Sequence, residues 1–558
     1  MALLTKVGTF AKPTSDGAQS ITGVGFQPKA LLLWSVGTSA DSTWRRHYHG
    51  MLGFGAGSSQ GRLTAMSSED GVSPSDTNRK QSTDIASFIT TAALFEEQGF
   101  ADLVSFDADG FTLSWTGTTA AEFDLHYLAI GGDAVVAAAD VAWRPRTTNG
   151  TETVEFGFEP DLVLLMSSRQ AINPEVTGSN FQAIGAVSSD GSQWSYAIAA
   201  DDNTSAANTS RSQRTDAALY VHQTNGDHAF TLTLNSFLPN GIRFNVARGN
   251  STLYYVMALG IQLAGSYSAT VGSFTKASTT GTQAITGLGF QPDALILGGW
   301  NDDAGATFRD SVHRSFSLVT ASDQVATFHH DVDGANPTNV QSYREAGAAY
   351  IKGSTAGAAS VVARASLESL DADGFVLNWA ANDSAADRVL YVALGHLVQP
   401  TVVDGRAAVG PSAAARAIIP LHGRAVSGPD AAASLLLGAL LSGEAVIGPL
   451  AEAAAVGVVG VSGRGTIGPA AEASALLGLL LSGRAVIGPG AGGAIQVGPH
   501  TLVAGRAVIG PDGALSRIVV PIHGRAAAGP AATIGIIPMR LGGRAVIGPS
   551  IAITYAGP

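Results

Sequence analysis

The sequence predicts an all-β protein, with three tandem β-sandwich-like domains followed by a repetitive β shaft of the β-prism or β-spiral type that belongs to a trimer. Three observations carry this prediction. A unit of about 130 residues occurs three times in the first 400 residues, and a unit of about 20 residues occurs eight times after them. Between glycine-rich turns, apolar and polar residues alternate with the period of a half-buried strand.

The long repeat is recognised by the motif that precedes its first core strand. The motif ends in a proline followed by an apolar run, and a proline is tolerated at a strand entrance because the missing N–H is not needed there. Its three copies are Gly23–Pro28, Phe156–Pro160 and Gly287–Pro292, and their phenylalanines Phe26, Phe158 and Phe290 follow at intervals of 132 residues.

Hairpin signals follow later in each long unit. Asp109-Gly110, Asn240-Gly241 and Asp373-Gly374 each precede alternating residues, as in Phe111 to Trp115, and such pairs favour tight turns whose residues take positive φ. About 130 residues are enough for an independent core. We therefore predict β-domains at residues 1–135, 136–267 and 268–400.

The short repeat reads Gly-Arg-Ala-Val-Ile-Gly-Pro with small variations and occupies residues 401–558, with Glu444 in place of arginine in one copy. Runs of leucine and alanine between the copies need cover on both faces of a strand. Either neighbouring repeats stack into a solenoid or several chains intertwine; we expect the second, a homotrimeric shaft. A membrane-spanning segment is not expected, because no apolar run approaches ~20 residues.

Composition limits the function classes. The chain has no cysteine, so we expect neither disulfides nor thiolate metal sites, and we predict no cofactor. Its net charge is −12, with ten arginines against six acids after residue 400, and no long basic run suggests a nucleic-acid partner. Met1 to Lys6 leads directly into the first domain, so we expect no signal peptide and synthesis in a cytoplasm.

One polar and aromatic cluster in repeat 1 and its counterpart in repeat 3 are the candidate binding residues. Arginine, histidine and aromatic side chains together suit recognition of glycans or proteins, whereas the alternative is a solvated, salt-bridged loop. The candidates are Trp44, Arg45, Arg46, His47, Tyr48, His49, Arg309, His313 and Arg314.

No catalytic or metal signature stands out, and we predict that the protein is not an enzyme. Gly57 to Gly61 fits the Gly-x-Ser-x-Gly frame but lacks the strand and helix that a nucleophile elbow needs. His329, His330, Asp331 and Asp333 form a possible metal motif, since imidazoles and carboxylates are metal ligands. However, adjacent histidines on a strand face opposite sides, and repeats 1 and 2 have no equivalent motif. Asp109 and Asp373 resemble the start of a calcium loop without its later ligands, and a hairpin turn explains them better.

With tandem β-domains entered through the glycine-phenylalanine-proline motif, an aliphatic repeat punctuated by glycine and proline, and no cysteine, the chain resembles structural proteins of tailed-bacteriophage virions, in particular tail fibres and related appendages. The resemblance implies a virion protein, assembled in the host cytoplasm, that binds itself as a homotrimer and binds other virion proteins.

Three functions follow from that resemblance. The first is a fibre that displays its repeated domains for attachment to a host surface glycan or protein, since multiplied weak sites raise avidity. The second is an architectural tail, baseplate or capsid-decoration protein that binds only other virion proteins. The third, which the sequence favours least, is a glycan depolymerase.

Overall fold

The computed structural model describes residues 2–57, 61–89, 97–250, 254–299, 308–354 and 359–397, together with the backbone of the tail strands. These described residues form strands, turns and bends and contain no helix, which confirms the predicted all-β class. The chain divides into two compact units, Met1–Val398 and Gln399–Pro558. The first unit is called the head and the second the tail.

The head is built from three sets of eleven strands. Repeat 1 contains β1 (Leu4–Ala11), β2 (Gly17–Thr22), β3 (Pro28–Ser35), β4 (Arg45–Arg46), β5 (Tyr48–Ala56), β6 (Gly61–Ser68), β7 (Thr77–Ser82), β8 (Ala86–Ile89), β9 (Glu97–Asp107), β10 (Gly110–Thr116) and β11 (Asp124–Gly131). Repeat 2 contains β12 (Val135–Trp143), β13 (Gly150–Glu155), β14 (Leu162–Ser167), β15 (Asn173–Gly178), β16 (Asn180–Ser188), β17 (Gln193–Ala200), β18 (Thr209–Arg214), β19 (Leu219–His222), β20 (His228–Leu238), β21 (Gly241–Arg248) and β22 (Val256–Leu263). Repeat 3 contains β23 (Tyr267–Thr275), β24 (Gly281–Thr286), β25 (Gln291–Gly299), β26 (Phe308–Asp310), β27 (Val312–Thr320), β28 (Gln324–Asp331), β29 (Val340–Ala346), β30 (Tyr350–Gly353), β31 (Val361–Asp371), β32 (Gly374–Ala381) and β33 (Arg388–His396).

Each repeat is a sandwich of a seven-stranded and a four-stranded antiparallel sheet. In repeat 1 the large sheet has the order β1-β11-β3-β5-β6-β7-β15 and the small one β2-β10-β9-β8. Apolar residues from both sheets meet between them, for example Leu31 and Leu33 from β3 with Phe111 and Leu113 from β10. Repeats 2 and 3 have their own cores of the same kind. The alternation read from the sequence is confirmed, since Phe111, Leu113 and Trp115 are buried.

The large sheet of each repeat takes its last strand from another repeat. β15 of repeat 2 pairs with β7 of repeat 1, β26 of repeat 3 pairs with β18 of repeat 2, and β4 of repeat 1 pairs with β29 of repeat 3. The donation is therefore cyclic, and the three repeats close into a ring with pseudo-threefold symmetry. Sequence reasoning predicted a string of domains and missed this closure, because pairing of such short strands leaves no periodic signal.

A further core cluster is shared by all three repeats at the centre of the ring. Trp34 of repeat 1 stacks on Phe316 of repeat 3 with ring centroids 4.1 Å apart, and its indole N–H donates to Thr327 Oγ1 at 2.9 Å. Repeat 2 contributes Met166 and Tyr196 to the same cluster. The head is thus one compact unit in which the inner faces of the large sheets pack together.

The predicted hairpins form, with one difference in the turn. Gly110 pairs with Asp107 at the end of the β9–β10 hairpin, so Ala108 and Asp109 form the turn, and in the Asp-Gly pair only Gly110 has a positive φ, 151°. The Asp109 carboxylate accepts the backbone N–H of Gly23 at 3.0 Å and of Gly25 at 2.6 Å. These bonds lower the pKa of Asp109 and connect the hairpin to the entrance motif.

Replacing Asp109 by alanine is expected to lower the melting temperature and speed amide exchange at Gly23 and Gly25, because both donors lose their acceptor. Hydrogen exchange followed by mass spectrometry measures this. Asp133→Ala, at an exposed carboxylate just after β11 of the same repeat, is the matched control and should leave exchange in the motif unchanged. Equal protection in both variants would show that the carboxylate does not hold the motif.

In the tail the described elements are strands only. They are β34 (Val403–Val409), β35 (Leu421–Ser427), β36 (Ala432–Leu436), β37 (Ala439–Ile447), β38 (Glu452–Ile467), β39 (Glu472–Ile487), β40 (Gly492–Val497), β41 (Leu502–Ile509), β42 (Ala514–Val519), β43 (Ile522–Ala528), β44 (Thr533–Ile537), β45 (Leu541–Ile547) and β46 (Ala552–Thr554). Every pairing between them is parallel, for example β38 with β39 over sixteen consecutive residue pairs.

The tail strands pair between successive repeats of one chain, as in a solenoid. This differs from the expected arrangement, in which strands of several chains intertwine. Nearly identical consecutive repeats explain the difference, since each strand finds an in-register partner in the next copy. The homotrimer remains a prediction, because the pairing described here needs no partner chain.

Candidate functional site

The candidate cluster of repeat 1 lies at the junction that closes the ring. Arg45 and Arg46 form β4, in which Arg45 pairs with Ser342 and Arg46 with Gln341 of β29. Both arginines are exposed, and Arg46 Nε donates to Asp70 Oδ2 at 2.5 Å. These two residues are the part of the predicted cluster that a ligand in solvent can reach most easily.

Trp44 is the anchor of this junction. Its half-buried ring packs against Tyr343, with centroids 5.0 Å apart, and edge-on against Phe328 at 5.9 Å. Both partners belong to a small core cluster of repeat 3. The tryptophan therefore fills a neighbouring repeat, and the sequence reading of it as a recognition residue differs from its place in the structure.

Val176 and Phe308 occupy the position of Trp44 in the other two exchanged strands, again at intervals of 132 residues. Val176 packs on the core of repeat 1, and Phe308 lies edge-on to His222 of repeat 2 at 5.7 Å. The residue directly after each exchanged strand is in the left-handed region; these residues are His47 (φ 71°), Ser179 (φ 65°) and Ser311 (φ 62°). One apolar anchor followed by one left-handed residue is thus the common design of the junctions.

Two of the three junctions have an additional clamp. Arg79 Nη1 donates to the carbonyl oxygens of Gly178 and Ser179 at 2.5 and 2.6 Å. Arg211 donates in the same way to the carbonyls of Asp310 and Ser311. The strand pairing places Ser342 at the equivalent position of the junction between repeats 3 and 1, so a serine stands there in place of the clamping arginine.

Tyr48 and His49 lie further inside. Tyr48 is fully buried and stacks on His329 with centroids 3.7 Å apart. His49 Nδ1 is 2.8 Å from the carbonyl oxygen of Ile89, and burial lowers the pKa of this imidazole to about 4. His47 is half-buried, with its Nδ1 accepting the Asp70 N–H at 3.1 Å.

The candidates of repeat 3 divide in the same way. Arg309 is exposed on β26, whereas His313 and Arg314 are buried on β27. Burial, with Arg211 and His330 nearby, lowers the pKa of His313 to about 3. The structure therefore brings Tyr48 and Arg314 together at the ring centre and leaves Arg45, Arg46 and Arg309 at the surface.

Arg314 is a buried cation whose hydrogen-bond acceptors are neutral. Its guanidinium donates to Gln182 Oε1 at 2.5 Å and to the Tyr48 hydroxyl, and it lies over the Trp34 ring at 4.7 Å. Burial lowers its pKa to about 9. Gly50, Gln182 and Arg314 are the third residues of β5, β16 and β27, so the three repeats place different residues at one equivalent position near the axis.

Three loops, one from each repeat, close one end of the ring. Their backbones are hydrogen-bonded to one another, from Ser75 to Thr204, from Ala207 to Ala335 and from Gly71 to Thr338. Asp331, at the base of the third loop, is 2% exposed and its Oδ1 has no partner among the described residues. Burial, with Asp333 and Asp70 nearby, raises its pKa to about 8.

Sequence reasoning missed Gln182, and it considered Asp331 only as a member of a weak metal motif beside His329 and His330. The signal that could have found Gln182 was the 132-residue spacing, which aligns it with Arg314 as clearly as it aligns the entrance motifs. The burial of Asp331 has no such signal, because it arises only when the three loops meet.

Ser58 to Gln60 of the Gly-x-Ser-x-Gly frame lie outside the described residues. Within the described part of the head, no group of three histidine or carboxylate residues is arranged to hold a metal ion. No helix that could cross a membrane occurs among the residues that the structure describes.

No family model matches the chain, and no curated protein matches it. Among solved structures, the catalytic domain of GH87 alpha-1,3-glucanase in complex with nigerose is matched at 9% identity and a TM-score of 0.11, over 52% of this chain and 74% of that chain. A variant of that domain in complex with tetrasaccharides is matched at 8% identity and a TM-score of 0.10, with the same coverage. Similarity at this level carries no argument about the fold or the function of the chain.

Proposed function

We propose that this protein is a structural component of a tailed-phage virion, of the tail-fibre or appendage type, whose head is displayed for attachment to a host surface. The observation that carries the proposal is the closed, strand-exchanged ring of three related repeats, combined with a long in-register repetitive tail. The head and the tail are each built by repetition of their own unit, which suits a mechanical and multivalent role. The exposed Arg45 and Arg309 occupy equivalent positions at two of the three junctions and are candidates for weak contacts that add up to avidity.

A purely architectural role is the second candidate. Exchange of strands is a common way to bind β-proteins together, and here it joins the repeats themselves. In that case the head would bind other virion proteins and no host receptor. The depolymerase alternative would need released oligosaccharide after incubation with host polysaccharide, and we expect none.

The test uses the full-length protein. Immunogold labelling of phage particles with an antibody against the chain should mark an appendage, and absence of label from purified particles would refute the virion assignment. Labelled protein should also bind host cells and a glycan array; virion labelling without host binding would support the architectural role. Sedimentation decides between one and three copies of the 56.6 kDa chain, and a single copy would refute the homotrimer.

A further inference from the structure

The arginines of the short repeat occupy one register position in the tail. The parallel pairing places Arg406 opposite Arg424, Arg464 opposite Arg484, and Arg506 between Arg484 and Arg525. The complete column, in strand order, is Arg406, Arg424, Glu444, Arg464, Arg484, Arg506, Arg525 and Arg544. It is called the arginine column.

The arginine column places an arginine at the same register position on seven strands and a glutamate on the eighth, at the strand spacing. Neighbouring strands are ~4.8 Å apart, so eight positions extend over about 34 Å. Like charges directly opposite each other destabilise a sheet. This repulsion recurs wherever two arginines of the column are paired, and a bound anionic ligand would relieve it.

The charge of the rest of the chain opposes non-specific binding of a polyanion. The whole chain carries −12, whereas the tail contains ten arginines and six acids and is therefore positive. A polyanion is repelled by the protein as a whole and attracted by the column. A polyanion therefore binds this chain where arginines are concentrated, as they are at the register position of the column.

We infer that the arginine column is a binding site for an extended, linear acidic polysaccharide that carries a carboxylate on successive sugars. The site goes beyond the proposed attachment through the head. An extended polymer can lie along the column and carries its carboxylates at regular intervals of one or a few sugars, as the column carries its arginines at regular register positions. Duplex nucleic acid instead winds its phosphates around an axis, with ~3.4 Å between them along each strand, and fits a straight row less well.

The test measures binding of polygalacturonate to the full-length chain by calorimetry at several salt concentrations. Replacing Arg464, Arg484 and Arg506 by glutamine should weaken binding about tenfold or more and flatten its salt dependence. The matched control replaces Arg416, Arg517 and Arg540, which lie outside the Gly-Arg position of the repeat, and changes the net charge equally. That control should bind as the unmodified chain does.

A gain-of-function variant guards against misfolding of the triple variant. Glu444→Arg completes the column and should tighten binding and steepen its salt dependence. Equal affinities of the two triple variants, or no gain from Glu444→Arg, would overturn the site. Duplex DNA bound as tightly as polygalacturonate at the same salt concentration would overturn the ligand class.

Discussion

Replacing Trp44 by alanine is expected to lower the free energy of unfolding of the head by about 3 kcal/mol, near the lower end of the range for large aromatic truncations because the ring is half-buried. The indole of Trp44 fills a space between Phe328 and Tyr343 in another repeat, and alanine leaves that space empty. Chemical denaturation measures the loss.

Phe308→Ala is the matched control, since Phe308 anchors the junction between repeats 2 and 3. Repeats 2 and 3 are joined directly by the chain after β22, whereas repeats 3 and 1 are held together only by non-covalent contacts. We therefore expect Trp44→Ala, and not Phe308→Ala, to open the ring below the global unfolding transition.

Ring opening can be followed with a designed disulfide. The chain has no cysteine, and Arg45 and Ser342 are directly paired on neighbouring strands, at a separation that a disulfide can bridge. In the Arg45→Cys/Ser342→Cys background, Trp44→Ala should slow disulfide formation and Phe308→Ala should not. Equal rates in both would contradict the assignment of Trp44 as the anchor that closes the ring.

Replacing Asp331 by asparagine is expected to stabilise the head at pH 7.5 by at least ~1 kcal/mol, the free energy of about one pKa unit. Burial raises the pKa of Asp331 from its ordinary value of 3.8 to about 8 in the folded chain. Between these values the folded chain binds a proton that the unfolded chain releases, so this group makes stability fall as the pH rises. The asparagine side chain has nearly the same shape as that of aspartic acid and does not titrate in this pH range.

The difference in stability between Asp331→Asn and the unmodified head should therefore be small near pH 4 and grow towards pH 8. Urea denaturation across this range measures it. Buried His313, whose pKa is lowered to about 3, acts in the opposite sense, because its contribution is complete above 6.5 and is lost as the pH falls towards 3. A difference independent of pH would show that Asp331 does not titrate in this window.

Patterns of neighbouring residues in the sequence predicted the strands and hairpins of the head. The alternation from Phe111 to Trp115 and the proline before each core strand depend on neighbours in sequence, so a single chain segment reveals them. The ring closure was not predictable in this way. β4 contains two residues and pairs with a strand almost three hundred residues away, and it is specified by shape and an anchor rather than by periodicity.

The candidate site shows the same division. Composition identified the cluster around Trp44, but it could not distinguish an exposed recognition loop from a strand inserted into another repeat. Tyr48 and Arg314 were named as separate candidates from different repeats, and only the closed ring shows them in contact. Arg45 and Arg46 are the residues for which the expected exposure and the observed exposure agree.

Joining three copies in one polypeptide permits chemistry at the centre that three identical subunits could not have. A symmetric assembly must repeat its central residue three times, so one arginine would become three mutually repelling cations and one glycine would become a void. Because the three repeats belong to one chain, their central residues can differ. Arg314 lies beside Gln182, and Gly50 leaves room for the Tyr48 hydroxyl. The centre can therefore diversify while the periphery keeps its common plan.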